Sequence, residues 1–303
     1  MESSILDLKS TCLERWRNGD KSLDERLQAC DKNFESWYEQ IPESNRPTVA
    51  TLIEHLEYYS HRTTNAWLKA LHGRLLKCPN VTSENTIYAF LKSKDGKTNS
   101  SNDYWTEYKA INQLNKNICI ENMDVLDPED WQYIQNIVFI DDFSGTGNTF
   151  IQEIQKHHAR YVGKNIYFIT INTMINAAQK IEKYCAENGI SIVLLSVLNQ
   201  EKAFERDLFE DNAKAKEEIR TMSSKFSIPK QAIFGYGKAQ ALVVFYNNTP
   251  NNTLGFIRCD TEKYNSLFPR RDDAPPTWMK MRKARHRRNV TNYNSKIEGL
   301  KDE

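Results

Sequence analysis

The chain has 303 residues, of which 39% are hydrophobic, 11% aromatic and 27% charged, with a formal net charge of +1 at pH 7. That is enough apolar material for one large domain or two small ones, and no apolar run approaches the length needed to span a bilayer. The six cysteines are scattered without a C-x-x-C pair, which excludes a dense disulfide framework or a clustered zinc site and fits reduced thiols in a cytoplasmic protein.

Residues 1–80 read as a helical N-terminal region. The opening "MESSILDLKST" has neither the basic start nor the apolar stretch of a signal peptide. In "SILDLKSTCLERW", Ile5, Leu6, Leu8, Cys12, Leu13 and Trp16 recur close to a 3.6-residue period. "SLDERLQACDKNFESWYEQI" repeats the pattern with Leu23, Leu27, Phe34, Trp37 and Ile41. Beyond Pro42 and Pro47, a third helix is expected from about Thr48 to Leu76. His55, His61 and His72 fall on it without i, i+4 spacing, so they read as surface or packing histidines.

Residues 84–260 read as an α/β core. "TIYAFLK" predicts a strand, "KSKDGKTNSSN" a polar loop, "DYWTEYKAINQL" a helix, "NICIEN" a short strand and "NIVFIDD" a strong one. "TFIQEIQKHHARYV", "NIYFITINTM", "NAAQKIEKYCAEN" and "ISIVLLSVL" continue as helix, strand, helix and strand. A long helix is expected over "EKAFERDLFEDNAKAKEEIRTMSSKF", and "AQALVVFYN" closes the series as a strand. Apolar strands that do not alternate, separated by helices, predict a parallel, doubly wound sheet covered on both faces. Residues 261–303 form a basic C-terminal tail, in which Lys280, Arg282, Lys283, Arg285, Arg287 and Arg288 stand together without an acid. Either this tail is simply solvated, or it is a nucleic-acid-binding arm that releases counterions from phosphates.

The stretch "NIVFIDDFSGTGNTF", residues 136–150, carries the chemistry. An apolar strand ends in Asp141 and Asp142, at the carboxyl edge where ligands bind to such sheets. Gly145 and Gly147 then allow backbone N–H groups to converge on one anion, Ser144, Thr146 and Thr149 add hydroxyls, and the loop leads into a helix whose N-terminus favours negative charge. A phosphate in the loop with ribose hydroxyls donating to the aspartates satisfies both halves. The competing readings are a purely structural turn, a phosphatase or response-regulator carboxylate, and the metal-holding strand of a P-loop NTPase. The last needs G-x-x-x-x-G-K-[ST] upstream, and Leu91 stands where the first glycine before Gly96-Lys97-Thr98 belongs.

"IVFIDDFSGTGNT" resembles the ribose-phosphate signature of type I phosphoribosyltransferases. The resemblance implies a phosphoribosyltransferase-like fold in which Asp141 and Asp142 bind the ribose diol and act in catalysis. Ser144, Gly145, Thr146, Gly147, Asn148 and Thr149 would cradle the 5-phosphate. It also implies phosphoribosyl pyrophosphate as substrate, with Mg2+ carried on the pyrophosphate. Lys92, Lys94 and Lys97 in "KSKDGKTNSS" are then candidates for neutralising that pyrophosphate, or else members of an ordinary exposed loop. Purine-salvage members carry an aspartate as general base where this chain has Gly145. A second resemblance, in "VVFYNNTPNNTLGFI", "FPRR" and "WMK", is to the branch of this fold found in bacterial conflict systems alongside retron reverse transcriptases. Asn251, Asn252 and Thr253 are either part of a hood over the site or a hairpin turn.

Three functions follow as expectations. The first is magnesium-dependent transfer or cleavage at the anomeric carbon of a ribose 5-phosphate donor (phosphoribosyl pyrophosphate or a nucleotide), as an effector in anti-phage defence. The second is a non-catalytic sensor or assembly subunit that binds a phosphoribosyl ligand and couples it to nucleic acid or a reverse transcriptase complex. The third is an incomplete nucleotide-binding ATPase. No membrane partner is expected.

Overall fold

A computed structural model describes residues 5–92 and 99–271. Lys94, Lys97 and the basic residues Lys280, Arg282, Lys283, Arg285, Arg287 and Arg288 lie outside the described residues. Among the described residues, no helix is long and apolar enough to cross a membrane.

The N-terminal segment forms α1 (Ile5–Arg17), α2 (Glu25–Glu39) and α3 (Arg46–Glu54). Asp24 starts α2 by accepting from the backbone N–H groups of Arg26 and Leu27. The expected third helix is interrupted. It ends at Glu54, Glu57–Tyr59 becomes a short strand, β1, and a new helix, α4, runs over His61–Leu75. Ser60 makes the break by capping α4, its hydroxyl accepting from the Thr63 N–H.

The sheet region follows in order as β2 (Thr86–Phe90), α5 (Ser100–Ile111), the short α6 (Asp130–Tyr133), β3 (Asn136–Ile140) and β4 (Phe143–Ser144). Next come α7 (Asn148–Tyr161), β5 (Asn165–Met174), α8 (Ile175–Glu187) and β6 (Ser191–Gln200). β2 pairs with β3, β3 and β4 pair with successive parts of β5, and β6 lies on the other side of β5, all parallel. The expected strand at "NICIEN" is instead a 3-10 turn, Lys116–Ile118, with Cys119 bridging to Tyr88.

Both faces of the sheet are covered. Tyr88, Val138, Ile140, Tyr167 and Ile169 pack with Leu68, Leu71 and Leu75 of α4 and Tyr104, Trp105 and Tyr108 of α5. Ile87, Ile137, Phe139, Ile166 and Phe168 pack with Phe150, Ile151 and Ile154 of α7 and Ile181 and Cys185 of α8. Burial on both sides is why these strands read as unbroken apolar runs.

The rest is α9 (Asn212–Lys225), β7 (Val243–Phe245) and the single turn α10 (Gly255–Arg258). The expected long helix over 201–226 contains α9 only in its second half. Its first half is held irregularly, with the Ala203 N–H donating to the Gln240 carbonyl (3.1 Å), and Asp211 starts α9 by accepting from the Lys214 N–H. β7 does not join the main sheet but pairs in parallel with β1. Residues 203–268 and the first three helices share one core that includes Trp16, Phe34, Trp37, Ile219, Phe256 and Phe268. Arg26 ties it together: its guanidinium donates to the carbonyls of Phe245 (2.8 Å), Phe268 (3.2 Å) and Pro269 (2.8 Å) and to Thr249 Oγ1 (2.5 Å). Met1–Arg270 is accordingly one compact unit.

Candidate functional site

The Asp-Asp pair sits inside a strand that is interrupted and then resumes. β3 stops at Ile140, yet the ladder to β5 continues: the Asp141 N–H donates to the Ile169 carbonyl (2.9 Å) and the Ile171 N–H to the Asp142 carbonyl (3.0 Å). β4 then pairs with β5 at Asn172 and Thr173. Sheet hydrogen bonds therefore fix the backbone on both sides of the two carboxylates.

Both aspartates are only 9% exposed. Asp141 Oδ1 accepts from the Asp142 N–H (2.9 Å), and Asp142 Oδ1 accepts from Ser100 Oγ (2.9 Å). Burial, and then the neighbouring Asp142 charge, push the Asp141 carboxyl well above the usual carboxylate range. Two adjacent carboxylates so held favour a partner that brings hydroxyl donors or positive charge.

Ser100 reaches Asp142 because α5 begins three residues earlier than the sequence pattern suggests. Asn99 caps it by accepting from the Asn102 N–H (3.2 Å), which places Ser100 and Ser101 in the first turn. Ser101 Oγ donates to the Ile140 carbonyl (2.5 Å) and accepts from the Leu91 N–H (2.9 Å), tying the ends of β2 and β3 to α5. Asp103, one turn on, has its carboxyl raised by burial and by the Asp142 charge.

On the other side of the pair the chain turns into α7. Gly147 is the N-cap residue, with φ +72, and no side chain caps this end. The first N–H groups of α7 therefore lack a capping acceptor, the arrangement that receives an anion. A Cβ at Gly147 would come within 2.9 Å of Ile181 Cγ1, so α8 packs too tightly here for any other residue. From α8, Lys180 Nζ donates to Asn148 Oδ1 (2.5 Å), which sets a positive charge beside the loop. Nothing in the linear pattern ties Lys180 to this loop.

Asp141, Ser144, Gly145, Thr146, Gly147, Asn148 and Thr149 line one pocket of about 120 Å3. Tyr236, Asn251 and Asn252 form its opposite wall. Asn252 stands over Gly145, and Gly237 meets Thr146 so closely that a Cβ there would lie 2.5 Å from Thr146 Cγ2. Lys92 is placed elsewhere, exposed at a separate small hollow with Glu153, Lys156 and His157. Ser100, Lys180 and Tyr236 escape a sequence reading because each comes from an element distant in the chain, whereas Asn252 is flagged only as part of a turn or hood.

Among the described residues, no group of three His, Cys, Asp or Glu side chains could hold a metal ion. The donor set that remains, two adjacent carboxylates, suits a magnesium ion carried on a ligand's phosphates better than one held by protein alone.

No curated protein matches the sequence. Among solved structures, the Helicobacter pylori Xanthine-Guanine-Hypoxanthine Phosphoribosyltransferase is similar over 50% of this chain and 92% of its own, at 11% identity and a TM-score of 0.31. The PRTase-CE family model matches residues 34–270. That span takes in the whole sheet, the loop from Ser144 to Thr149 and the wall facing it, and on this match the chain belongs to the PRTase-CE family, a phosphoribosyltransferase-like group.

Proposed function

We propose that the pocket binds a ribose 5-phosphate donor, phosphoribosyl pyrophosphate or a nucleotide, and acts at its anomeric carbon. One observation carries this reading: the buried Asp141 and an uncapped helix N-terminus share a pocket of about 120 Å3, with Asp142 next in the chain but outside its lining, so the pocket offers a hydroxyl acceptor at one end and phosphate donors at the other. The 5-phosphate lies against the N–H groups of Gly147, Asn148 and Thr149 with Lys180 nearby, and the ribose diol donates to Asp141 and Asp142. Magnesium, when bound with the ligand, neutralises the departing pyrophosphate. In transfer, the bond from the anomeric carbon to the pyrophosphate oxygen breaks and its electron pair leaves with the pyrophosphate. A lone pair of the acceptor forms the new bond, and the acceptor's proton passes to water. The protein's part is to hold the sugar in line and stabilise charge.

The second reading is a binding subunit without turnover. It is favoured by Gly145, over which a carboxamide stands and not a base. A role as a retron-type anti-phage effector, acting with nucleic acid or a reverse transcriptase complex, belongs to this proposal through the sequence resemblance alone.

The test is calorimetric titration of phosphoribosyl pyrophosphate with magnesium into wild type and an Asp141→Ala/Asp142→Ala variant. Micromolar binding, equivalent to about 8 kcal/mol, that disappears in the variant is the expected result. No heat with folded wild type overturns the assignment. Release of pyrophosphate on adding an acceptor separates turnover from binding alone.

A further inference from the structure

The two edges of the main sheet are finished differently. At the β2 edge the chain closes the sheet itself: Cys119 bridges to Tyr88, and the Ile120 N–H donates to the Tyr88 carbonyl (2.8 Å). At the other edge, β6 pairs only with β5. Among the described residues, one hydrogen bond reaches the β6 backbone from outside the sheet, from Arg74 Nη1 of α4 to the Ser196 carbonyl (2.7 Å).

Proteins blunt an open edge with lysine, proline, a bulge, a short strand or a covering segment, because its unpaired N–H and C=O groups otherwise recruit another strand. β6 uses none of these. It runs for 10 residues in constant register with β5, and its sequence, SIVLLSVLNQ, has no charge, no proline and no glycine. Successive side chains alternate between the two faces of the sheet, and each face keeps one apolar residue open. Val193, 38% exposed, lies on the face of Leu195 and Val197, and Leu198, 37% exposed, lies on the face of Ile192 and Leu194. On α4, which flanks this edge, Trp67 is 39% exposed and stands two turns before Arg74 on the same side of the helix. Exposed Trp and Arg beside an uncharged apolar strand are the composition of an interface centre.

Whatever covers this edge must be long, extended and uncharged, and must bring unpaired backbone groups of its own. β6 of a second copy meets each requirement. Two copies of one strand pair antiparallel about a two-fold axis normal to the sheet, so each face of one sheet continues into the same face of the other and apolar residues meet on both. The strand is about 33 Å long. With the near sides of α4 and α8 the edge is about 20 Å deep, so about 650 Å2 of each copy would be covered. A standard stable interface covers about 800 Å2 per partner. We infer that β6 is a self-association edge, through which two copies of this chain join their five-stranded sheets into one continuous sheet. The Asp-Asp loop follows β3 and β4, on the other side of β5, and stays open in such a pair. The inference is therefore independent of the ligand reading.

The test is sedimentation equilibrium of the full chain from about 0.1 to 100 µM, where interfaces of this size begin to dissociate. Wild type should approach twice the 35.3 kDa chain mass as concentration rises. Val193→Lys and Leu198→Lys each put a charge at an exposed position on one face of the edge, and each should weaken association about tenfold or more. Leu6→Lys, on the more exposed Leu6 of α1, should leave it unchanged. Amide exchange should slow in β6 with rising concentration and stay constant in β2. A monomer throughout the range overturns the inference and leaves the edge to an extended peptide of another protein. A dimer indifferent to both edge lysines, without concentration-dependent protection in β6, overturns it as well and puts the contact elsewhere.

Discussion

The sheet region and the helical core beside it are held together in opposite ways. In the sheet region, consecutive elements touch: β2, β3, β5 and β6 are neighbours joined by their own crossover helices. In the helical core, the decisive contacts join the two ends of the compact unit. Arg26 reaches Phe245 and Phe268, and the Trp37 Nε1–H donates to Tyr264 Oη (2.6 Å), which in turn donates to the Phe256 carbonyl (2.7 Å). The site lies where these two kinds of order meet, its loop supplied by the first and its opposite wall by the second. A local signature can therefore describe half a site while the other half depends on contacts that no short window contains.

The contrast can be broken most severely at Arg26. Arg26→Ala leaves carbonyls of the two distant segments without their donor, and should cost about 3–5 kcal/mol, at about 1–3 for each buried group left unsatisfied together with the lost packing of the side chain. Urea unfolding should show it as one shifted transition if both regions unfold together. Two separated transitions would show the sheet surviving alone. Phe139→Ala, in a face of the sheet where the ring meets Phe150 and Tyr161, should cost about 3–5 kcal/mol by leaving a cavity. Its damage should run through the same transition, and a ligand-binding loss without a stability loss would contradict the packing described. Tyr264→Phe strips the Trp37 N–H and the Phe256 carbonyl of a partner and should cost about 1–3 kcal/mol for each group left unsatisfied.

Asp141→Asn should act in the other direction. Because burial and Asp142 raise the folded carboxyl above its unfolded value, the unfolded chain gives up its proton first as pH rises. Stability is thus lost from the ordinary carboxylate range upward through the raised folded value, and is unaffected at lower pH. The asparagine variant should melt higher than wild type at pH 8, with the gain shrinking toward pH 4, while binding phosphoribosyl pyrophosphate less well. A variant that melts lower at every pH would show the carboxylate to be a structural support. Smallest is Ser100→Ala, which removes one hydrogen bond to Asp142, about 1–2 kcal/mol at most. It should be visible as weaker ligand affinity in calorimetry with little change in melting.

The same contrast explains what the sequence made legible. β2, β3, β5, β6, α7 and α8 are readable because each buries an apolar face against its chain neighbours, so period and composition report them directly. The loop from Asp141 to Thr149 is readable for the same reason: carboxylates, glycines and the helix start are contiguous. β1 is hidden because Glu57–Tyr59 is a strand only through its pairing with β7, and its apolar residues continue a helical rhythm. The cap at Ser60 was the local clue to the break. The irregular stretch before α9 carries helix-forming residues, and contacts with Gln240 override that propensity. Lys180 and Tyr236 reach the pocket through tertiary packing, which periodicity does not encode.

The resumption of the strand at β4 has a consequence for how a ligand is received. A loop that leaves a sheet usually has to be ordered when its ligand arrives. Here the chain is re-anchored to β5 immediately after the two aspartates and enters a helix soon afterwards. The entropy of arranging the loop's donors is thereby spent during folding, before any encounter. Association should then carry little cost for ordering these residues, and amide exchange in β4 should be slow even without ligand.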